Sequence, residues 1–320
     1  MPGEHITALV RSHASGDDAV FYSVALQAAA REARAGHAAM ADDIKKAVDA
    51  SRKAVPRHSV TKLAQPRGDL ADLMTVTHPD VVLKDLIGPA SLVTQVEQVI
   101  AEQRQRRRLL DHGFAPAHRL LLEGPPGTGK TMTAAVLARE LALPLFTVRL
   151  DALLSKFMGE TAGRLRIIFD AASERRGVYL FDEFDALGAD RSSNDVGEAR
   201  RILNTFLVLL EEANEESLLV AATNHRSILD RALFRRFDAA LTYHLPDAKQ
   251  ATSVMRARLG SLAKGLSFAG MAEHYEGLSH ADLVRAAETA AKAVVMRGES
   301  GVTREDLLRG LELRRLGARG

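Results

Sequence analysis

RLLLEGPPGTGKT, Arg119–Thr131, is the stretch on which the fold turns. A short apolar run, Leu120–Leu122, ends in Glu123 and passes directly into GPPGTGKT, which satisfies the phosphate-loop pattern at a strand-to-helix junction. Gly124, Gly127 and Gly129 let backbone N–H groups close around phosphate oxygens, with Pro125, Pro126 and Thr128 in the same loop. The helix that follows adds its positive N-terminal end. Lys130 is placed to reach the β- and γ-phosphates, and the Thr131 hydroxyl to hold Mg²⁺.

Outward from this loop, the runs RLLLE, LFTVR, VYLFDE, SLLVAATN and AALTYHLPD alternate with amphipathic stretches such as TAGRLRIIFDAASERR and EARRILNTFLVLLEEAN. Continuous apolar strands separated by helices predict a parallel sheet covered on both faces, hence an α/β domain. After Pro246 the strand signals stop. AKQATSVMRARL, HADLVRAAETAAKAVVMRG and TREDLLRGLELRRL then read as helices of a separate subdomain. Before the α/β region, VVLKDLIGPASLVTQVEQVIAEQRQRRRLLDHG reads as an opening segment with one long helix. The alanine- and charge-rich N-terminus predicts a small three-helix unit, and SRKAVPRHSVTKLAQPRGDL, with its prolines and no periodicity, a linker. The expected organisation is a helical N-terminal domain over 1–55, a linker over 56–80, a nucleotide-binding α/β domain over 81–246 and a helical lid over 247–320.

Two further stretches carry chemistry. VYLFDEFDAL ends an apolar strand in paired carboxylates, which sends Asp182 toward the magnesium and Glu183 toward an attacking water, with Asp185 supporting the turn. The Asn-Lys-x-Asp tetrad that reads guanine is absent, so ATP is the expected nucleotide. In LLVAATNHRSILDRALFRRFD, Asn224 stands at a strand end, where its amide can orient the lytic water. Arg235 and Arg236 follow in a turn. By itself an arginine pair is usually a solvated surface, but one supplied to a neighbour's nucleotide accelerates phosphoryl transfer by roughly 10³ to 10⁵.

Composition bounds the rest. The 320 residues are 46% hydrophobic, enough for a substantial core, and the length allows about two domains. Lysine plus arginine (43) barely exceeds aspartate plus glutamate (41), which argues against nucleic acid or an anionic membrane as partner. The absence of cysteine removes disulfides, thiol catalysis and thiolate metal sites. No apolar stretch approaches the roughly 20 residues needed to span a bilayer, and the expectation is a cytoplasmic protein. RQRRR, Arg104–Arg108, reads as a solvated helix face, and the histidines show no His-Glu-x-x-His spacing.

Taken in order, DLIG, GPPGTGKT, SKFMGET, YLFDEFDAL, AATN, LDRALFRRFD and GLSHADL resemble the AAA clade of AAA+ ATPases from about Val81 to Gly320. The resemblance implies a P-loop core followed by a helical lid, a hexameric ring, and ATP held between subunits. It makes Gly124–Thr131 the Walker A loop, Asp182 and Glu183 the Walker B pair, Asn224 sensor 1, and Arg235 and Arg236 the arginine fingers. The arginine doublet is most similar to that of katanin- and spastin-like members. Ile87 and Gly88 of DLIG, with His280 and Ala281 of GLSHADL, become nucleotide contacts. Two departures stand out: His280 replaces the clade's usual glycine, and Ala281 stands where other AAA+ proteins carry a sensor 2 arginine. Arg285, one turn later, is either a substitute or a surface residue.

SKFMGET matches the clade's first pore loop. Lys156, Phe157, Met158 and Gly159 would then face a central channel, the apolar pair gripping extended polypeptide without sequence preference. The functional expectation is a Mg²⁺-dependent ATPase ring that remodels or threads a protein substrate, selected directly or through an adaptor by the N-terminal helices. The alternatives are a nucleotide switch that recruits a partner, a nucleic-acid motor, and an ATPase working beside a separate protease.

Overall fold

Alternation along each strand builds two cores, one on either side of a central sheet. The strands are β1 (Met74–Thr77), β2 (Arg119–Glu123), β3 (Leu145–Val148), β4 (Val178–Phe181), β5 (Leu218–Thr223) and β6 (Ala239–Thr242). Their order across the sheet is β1-β3-β4-β5-β2-β6, every pair parallel except β1 with β3. The computed structural model describes residues 24–29, 31, 33, 36–53, 69–153, 160–187, 196–225 and 234–317. The helices in these residues are α1 (Ala38–Lys53), α2 (Asp69–Leu73), α3 (Ala90–Arg104), α4 (Arg106–Asp111), α5 (Lys130–Glu140), α6 (Leu150–Leu153), α7 (Thr161–Glu174), α8 (Val196–Glu212), α9 (Ala248–Leu259), α10 (His280–Arg297) and α11 (Arg304–Gly317).

Leu121, Tyr179, Phe181, Leu219 and Ala221 point to one face, where Leu165, Ile168 and Phe169 of α7 and Phe206 and Leu210 of α8 cover them. Their sequence neighbours Leu120, Leu122, Val178, Leu180, Leu218 and Val220 point to the other face, against Val96 and Ile100 of α3 and Leu137 of α5. This period of two explains why the strands read as unbroken apolar runs: both faces are buried. Phe206 packs edge-on to Phe181 and Phe169 with centroids 5.0 and 5.7 Å away. Each such buried side chain stabilises the fold by about 1.5–3 kcal/mol.

The lid has its own core. Leu283, Ala286, Ala287, Ala290 and Val294 of α10 meet Ala251 and Met255 of α9 and Leu307 and Leu311 of α11. Asp247 caps α9 by accepting from Gln250 N at 2.7 Å, and Ser279 caps α10 by accepting from Asp282 N at 3.2 Å. At the crossing of α10 and α11, a Cβ on Gly310 would lie 2.5 Å from the Ala286 carbonyl oxygen, so only glycine permits this approach.

All five expected strands are present, as are the three lid helices. Two expectations are corrected. The stretch 69–77, read as linker, forms α2 and the edge strand β1, which pairs Met74 with Val148 and Thr77 with Leu145. Only Met74 of its four residues is buried, so the run lacks the apolar signal of the interior strands. The expected long helix is two, α3 and α4, joined at Gln105.

Contacts divide the chain into Met1–Ala64 and Gln65–Gly320. In the first unit, residues 24–29 and α1 are helical, with Ala25, Ala29 and Ala41 buried. Among the described residues no helix is long and apolar enough to cross a membrane.

Candidate functional site

Parallel registry brings the chemistry together. Glu123 pairs with Thr223 and Phe181 with Ala221, so the loops after β2, β4 and β5 leave the same edge of the sheet. Ligands of open α/β sheets collect at this carboxyl edge. Because β5 lies between β2 and β4, Asn224 sits between the phosphate loop and the carboxylates of Asp182 and Glu183.

The Lys130 ammonium is buried and donates to the carbonyls of Gly124 (2.7 Å) and Pro125 (2.8 Å) and to Asn224 Oδ1 (2.8 Å). Burial lowers its pKa, opposed by the negative charges of Asp182, Asp185 and Glu183. Thr131 Oγ1 donates to Asp182 Oδ2 at 2.6 Å, while Glu183 N donates to Asp182 Oδ1 at 3.0 Å. Asn224 N donates to Asp185 Oδ1 at 3.4 Å, which ties the turn after β4 to the tip of β5. Glu183 is exposed and adopts φ +53, a left-handed conformation that side chains other than glycine seldom take. Strain of this kind collects at working sites, and here it presents the carboxylate to the cleft.

Glycine is required twice in the phosphate loop. A Cβ on Gly124 (φ +148) would meet the Tyr243 carbonyl oxygen at 2.4 Å, and one on Gly127 (φ +72) would meet Ser279 Oγ at 2.6 Å. The second approach joins loop to lid, and Ala281 N closes it by donating to the Gly127 carbonyl at 3.0 Å. Tyr243, whose hydroxyl donates to Thr133 Oγ1 at 2.6 Å, backs the loop from β6. Burial pushes its pKa well up, so it stays protonated.

A cleft of about 510 Å³ opens between loop and lid, lined by Pro126, Gly127, Gly129, Lys130, Thr131, Met132, Asp182, Glu183, Asn224, His280, Ala281, Val284, Arg285 and Glu288. The expected phosphate, magnesium and water-orienting residues thus share one wall, and His280, Ala281 and Arg285 form the other. Ile87 packs against the lid core, and Gly88 lies against Leu92.

Arg235 and Arg236 are not among the residues that line this cleft. Arg235 is exposed, and Arg236 is half-buried in an ion pair with Glu211 of α8. Their turn is anchored by Asp238, which accepts from the backbone N of His118 (3.0 Å) and Arg119 (2.9 Å) and from Arg119 Nη2 at 2.6 Å. Burial alone would raise the Asp238 pKa; the hydrogen bonds from Arg119 and from these amides outweigh it and hold the carboxyl below its ordinary value. Sequence reading missed the roles of Glu211, Asp238 and Tyr243, whose partners are distant in the chain.

Lys156, Phe157, Met158 and Gly159 lie outside the described residues. The flanks are fastened together, however: Thr161 Oγ1 donates to the Leu153 carbonyl at 3.1 Å, and Arg164 Nη1 to that of Ala152 at 2.6 Å.

Comparison with known proteins agrees with this geometry. The ATPase family associated with various cellular activities (AAA) matches residues 120–245. An uncharacterised AAA family ATPase of Sinorhizobium fredii, y4kL, is 31% identical over 97% of this chain and 94% of its own. The ATP-dependent zinc metalloprotease FtsH 1 of Methylacidiphilum infernorum is 33% identical over 76% of this chain, which spans 40% of that protein. The proteasome-activating nucleotidase of Pyrococcus horikoshii is 31% identical over 74% of this chain and 62% of its own. The crystal structure of the FIGL-1 AAA domain superposes with a TM-score of 0.63 at 24% identity, covering 80% of this chain and 92% of that one, a likeness of fold.

Proposed function

The chain belongs to the AAA family of ATPases, and on that basis we propose that it works as a ring, hexameric as in the clade it resembles, whose ATP hydrolysis drives remodelling of a protein threaded through the centre. The observation that carries this reading is the division of the catalytic set. Lys130, Thr131, Asp182, Glu183 and Asn224 line one cleft, whereas the two arginines stand outside its lining. An arginine outside its own cleft can be supplied to a neighbour's nucleotide, and the exposed position of Arg235 suits that role.

Within the cleft the roles follow from chemistry. The Thr131 hydroxyl and Asp182 carboxylate, 2.6 Å apart, are hard oxygen donors that suit Mg²⁺. That ion supplies neutralisation of the phosphate oxygens. Lys130 exchanges the loop carbonyls for β- and γ-phosphate oxygens. Asn224 orients the water, and Glu183 polarises it. Ala281, docked on Gly127, carries the state of the phosphate loop to the lid.

Polypeptide is the proposed substrate because two relatives bear names that join a nucleotide to proteolysis, an ATP-dependent metalloprotease and a proteasome-activating nucleotidase. Phe157 and Met158 would grip it, the N-terminal helices of residues 1–55 would select it or an adaptor, and any degradation would fall to a separate protease. To test this, Glu183→Gln protein is loaded with ATP in cells and recovered with its cargo. The expected cargo is a discrete polypeptide, enriched over a Glu183→Gln, Phe157→Ala control. Captured nucleic acid, or equal capture without Phe157, would contradict the reading.

A further inference from the structure

The turn that carries Arg235 and Arg236 is held by what surrounds it. Phe237 is buried in the core that α7 and α8 share with the sheet, and Phe234 packs against the same cluster. Phe237 N closes the turn by donating to the Phe234 carbonyl at 3.3 Å. Beyond it the β2–β6 ladder begins, with Leu120 opposite Ala239. Arg119 and Asp238 extend that register by one more rung, and here side chains add to the backbone. Asp238 N donates to the Arg119 carbonyl at 2.8 Å. The Asp238 carboxylate accepts the amides of His118 and Arg119 on Oδ2, and Arg119 Nε (3.2 Å) and Nη2 (2.6 Å) on Oδ1.

Four hydrogen bonds on one carboxylate are more than the end of a ladder requires. Those from the guanidinium are charge-assisted, and the two side chains are only 24% and 23% exposed, so water screens the pair less than it does a surface ion pair. What the clamp fixes is the direction in which the chain meets the sheet after Arg235 and Arg236. For an arginine delivered to a neighbouring cleft that direction matters, because a misplacement of about 1 Å at a reacting centre costs on the order of 10²-fold in rate.

We propose that Arg119 is a positioning residue for the arginine turn, holding the backbone at 235–238, through Asp238, at the angle from which Arg235 reaches the nucleotide of the adjoining subunit. This inference rests on the reading that these arginines serve a neighbour's cleft. It gives the two ends of β2 separate tasks: the exit, at Glu123, feeds the subunit's own phosphate loop, and the entry, at Arg119, aims what the subunit offers to the next.

Subunit mixing separates the two tasks. Glu183→Gln chains supply arginines only, and Arg235→Ala, Arg236→Ala chains supply working clefts only; mixed in equal amounts, they should turn over ATP. Arg119→Ala is then introduced into one partner at a time. In the arginine-supplying chain it should lower the turnover of the mixture by about tenfold at unchanged KM for ATP, the worth of one charge-assisted hydrogen bond. In the cleft-supplying chain it should change nothing, whereas general damage to β2 would reach the phosphate loop at the far end of the same strand and show there. Arg119→Lys, which keeps a cation beside Oδ1, should fall between the alanine variant and the native residue, and it carries the same two-sided comparison if the alanine chain does not fold. Equal loss on both sides, loss on the cleft side alone, or no loss on either overturns the inference. A starting mixture without turnover means that the arginines do not act across subunits, and the reading beneath the inference fails with it.

Discussion

Replacing Gly127 with alanine puts the dependence of the site on lid docking to a quantitative test. The backbone there has φ +72, and the new Cβ would stand 2.6 Å from Ser279 Oγ, 3.1 Å from Ser279 Cβ and 3.0 Å from Ala281 Cβ. The left-handed conformation costs alanine about 1–2 kcal/mol more than glycine. Overpacking against the start of α10 adds about 1–3 kcal/mol unless the lid swings away. Swinging away breaks the Ala281–Gly127 hydrogen bond and separates the two walls of the cleft. Titration with a fluorescent ATP analogue should therefore show affinity lower by roughly 30-fold or more, at about 1.4 kcal/mol per decade. Ser279→Gly removes the two atoms of the serine side chain that lie in the way, at a cap cost of only about a few tenths of a kcal/mol. In the double variant, then, much of the packing loss should return, a coupling of about 1–3 kcal/mol between contacting residues. Effects that add to within about 0.5 kcal/mol would refute the claim that loop and lid meet at this point.

Three other outcomes can be checked directly. Phe206→Ala empties the centre of the aromatic cluster and should lower unfolding stability by about 3–5 kcal/mol in a urea titration. Asp238→Asn should lower the melting temperature at neutral pH. Because the Asp238 pKa is depressed in the folded chain, its contribution is complete above about pH 4 and lost as pH falls through the lower folded value, so native and variant should converge in acid. Glu211→Gln breaks the ion pair of Arg236 and should cost about 1 kcal/mol or less, whereas Arg235→Ala should lower steady-state ATP turnover by about 10³-fold at unchanged nucleotide affinity.

The sequence displayed what is local and hid what is assembled. Gly124–Thr131, Asp182, Glu183 and Asn224 were readable because a phosphate loop and strand-end polar residues are contiguous signatures. The four interior strands, β2 to β5, were readable because burial on both faces makes them apolar, and the edge strand β6 because Ala239–Leu241 keeps an apolar run although only Leu241 is buried. β1 was not, because an edge strand with only Met74 buried carries no such run. Asp238 with Arg119, Tyr243 with Thr133 and Arg236 with Glu211 were beyond reach: folding brings together residues 119, 110 and 25 positions apart. His280 showed in sequence as a departure from a motif and, by resemblance, as a nucleotide contact, and the structure places it in the cleft lining.

The central claim is that one subunit's arginine completes another's cleft, and subunit mixing tests it most directly. Glu183→Gln chains retain both arginines but cannot polarise water, and Arg235→Ala, Arg236→Ala chains retain Glu183 but have no finger to offer. Each should be nearly inactive alone. Mixed in equal amounts, they should recover ATPase activity at interfaces where an intact arginine meets an intact Glu183. A mixture as inactive as its parts, or an arginine-free chain that turns over ATP at the native rate, would contradict the account.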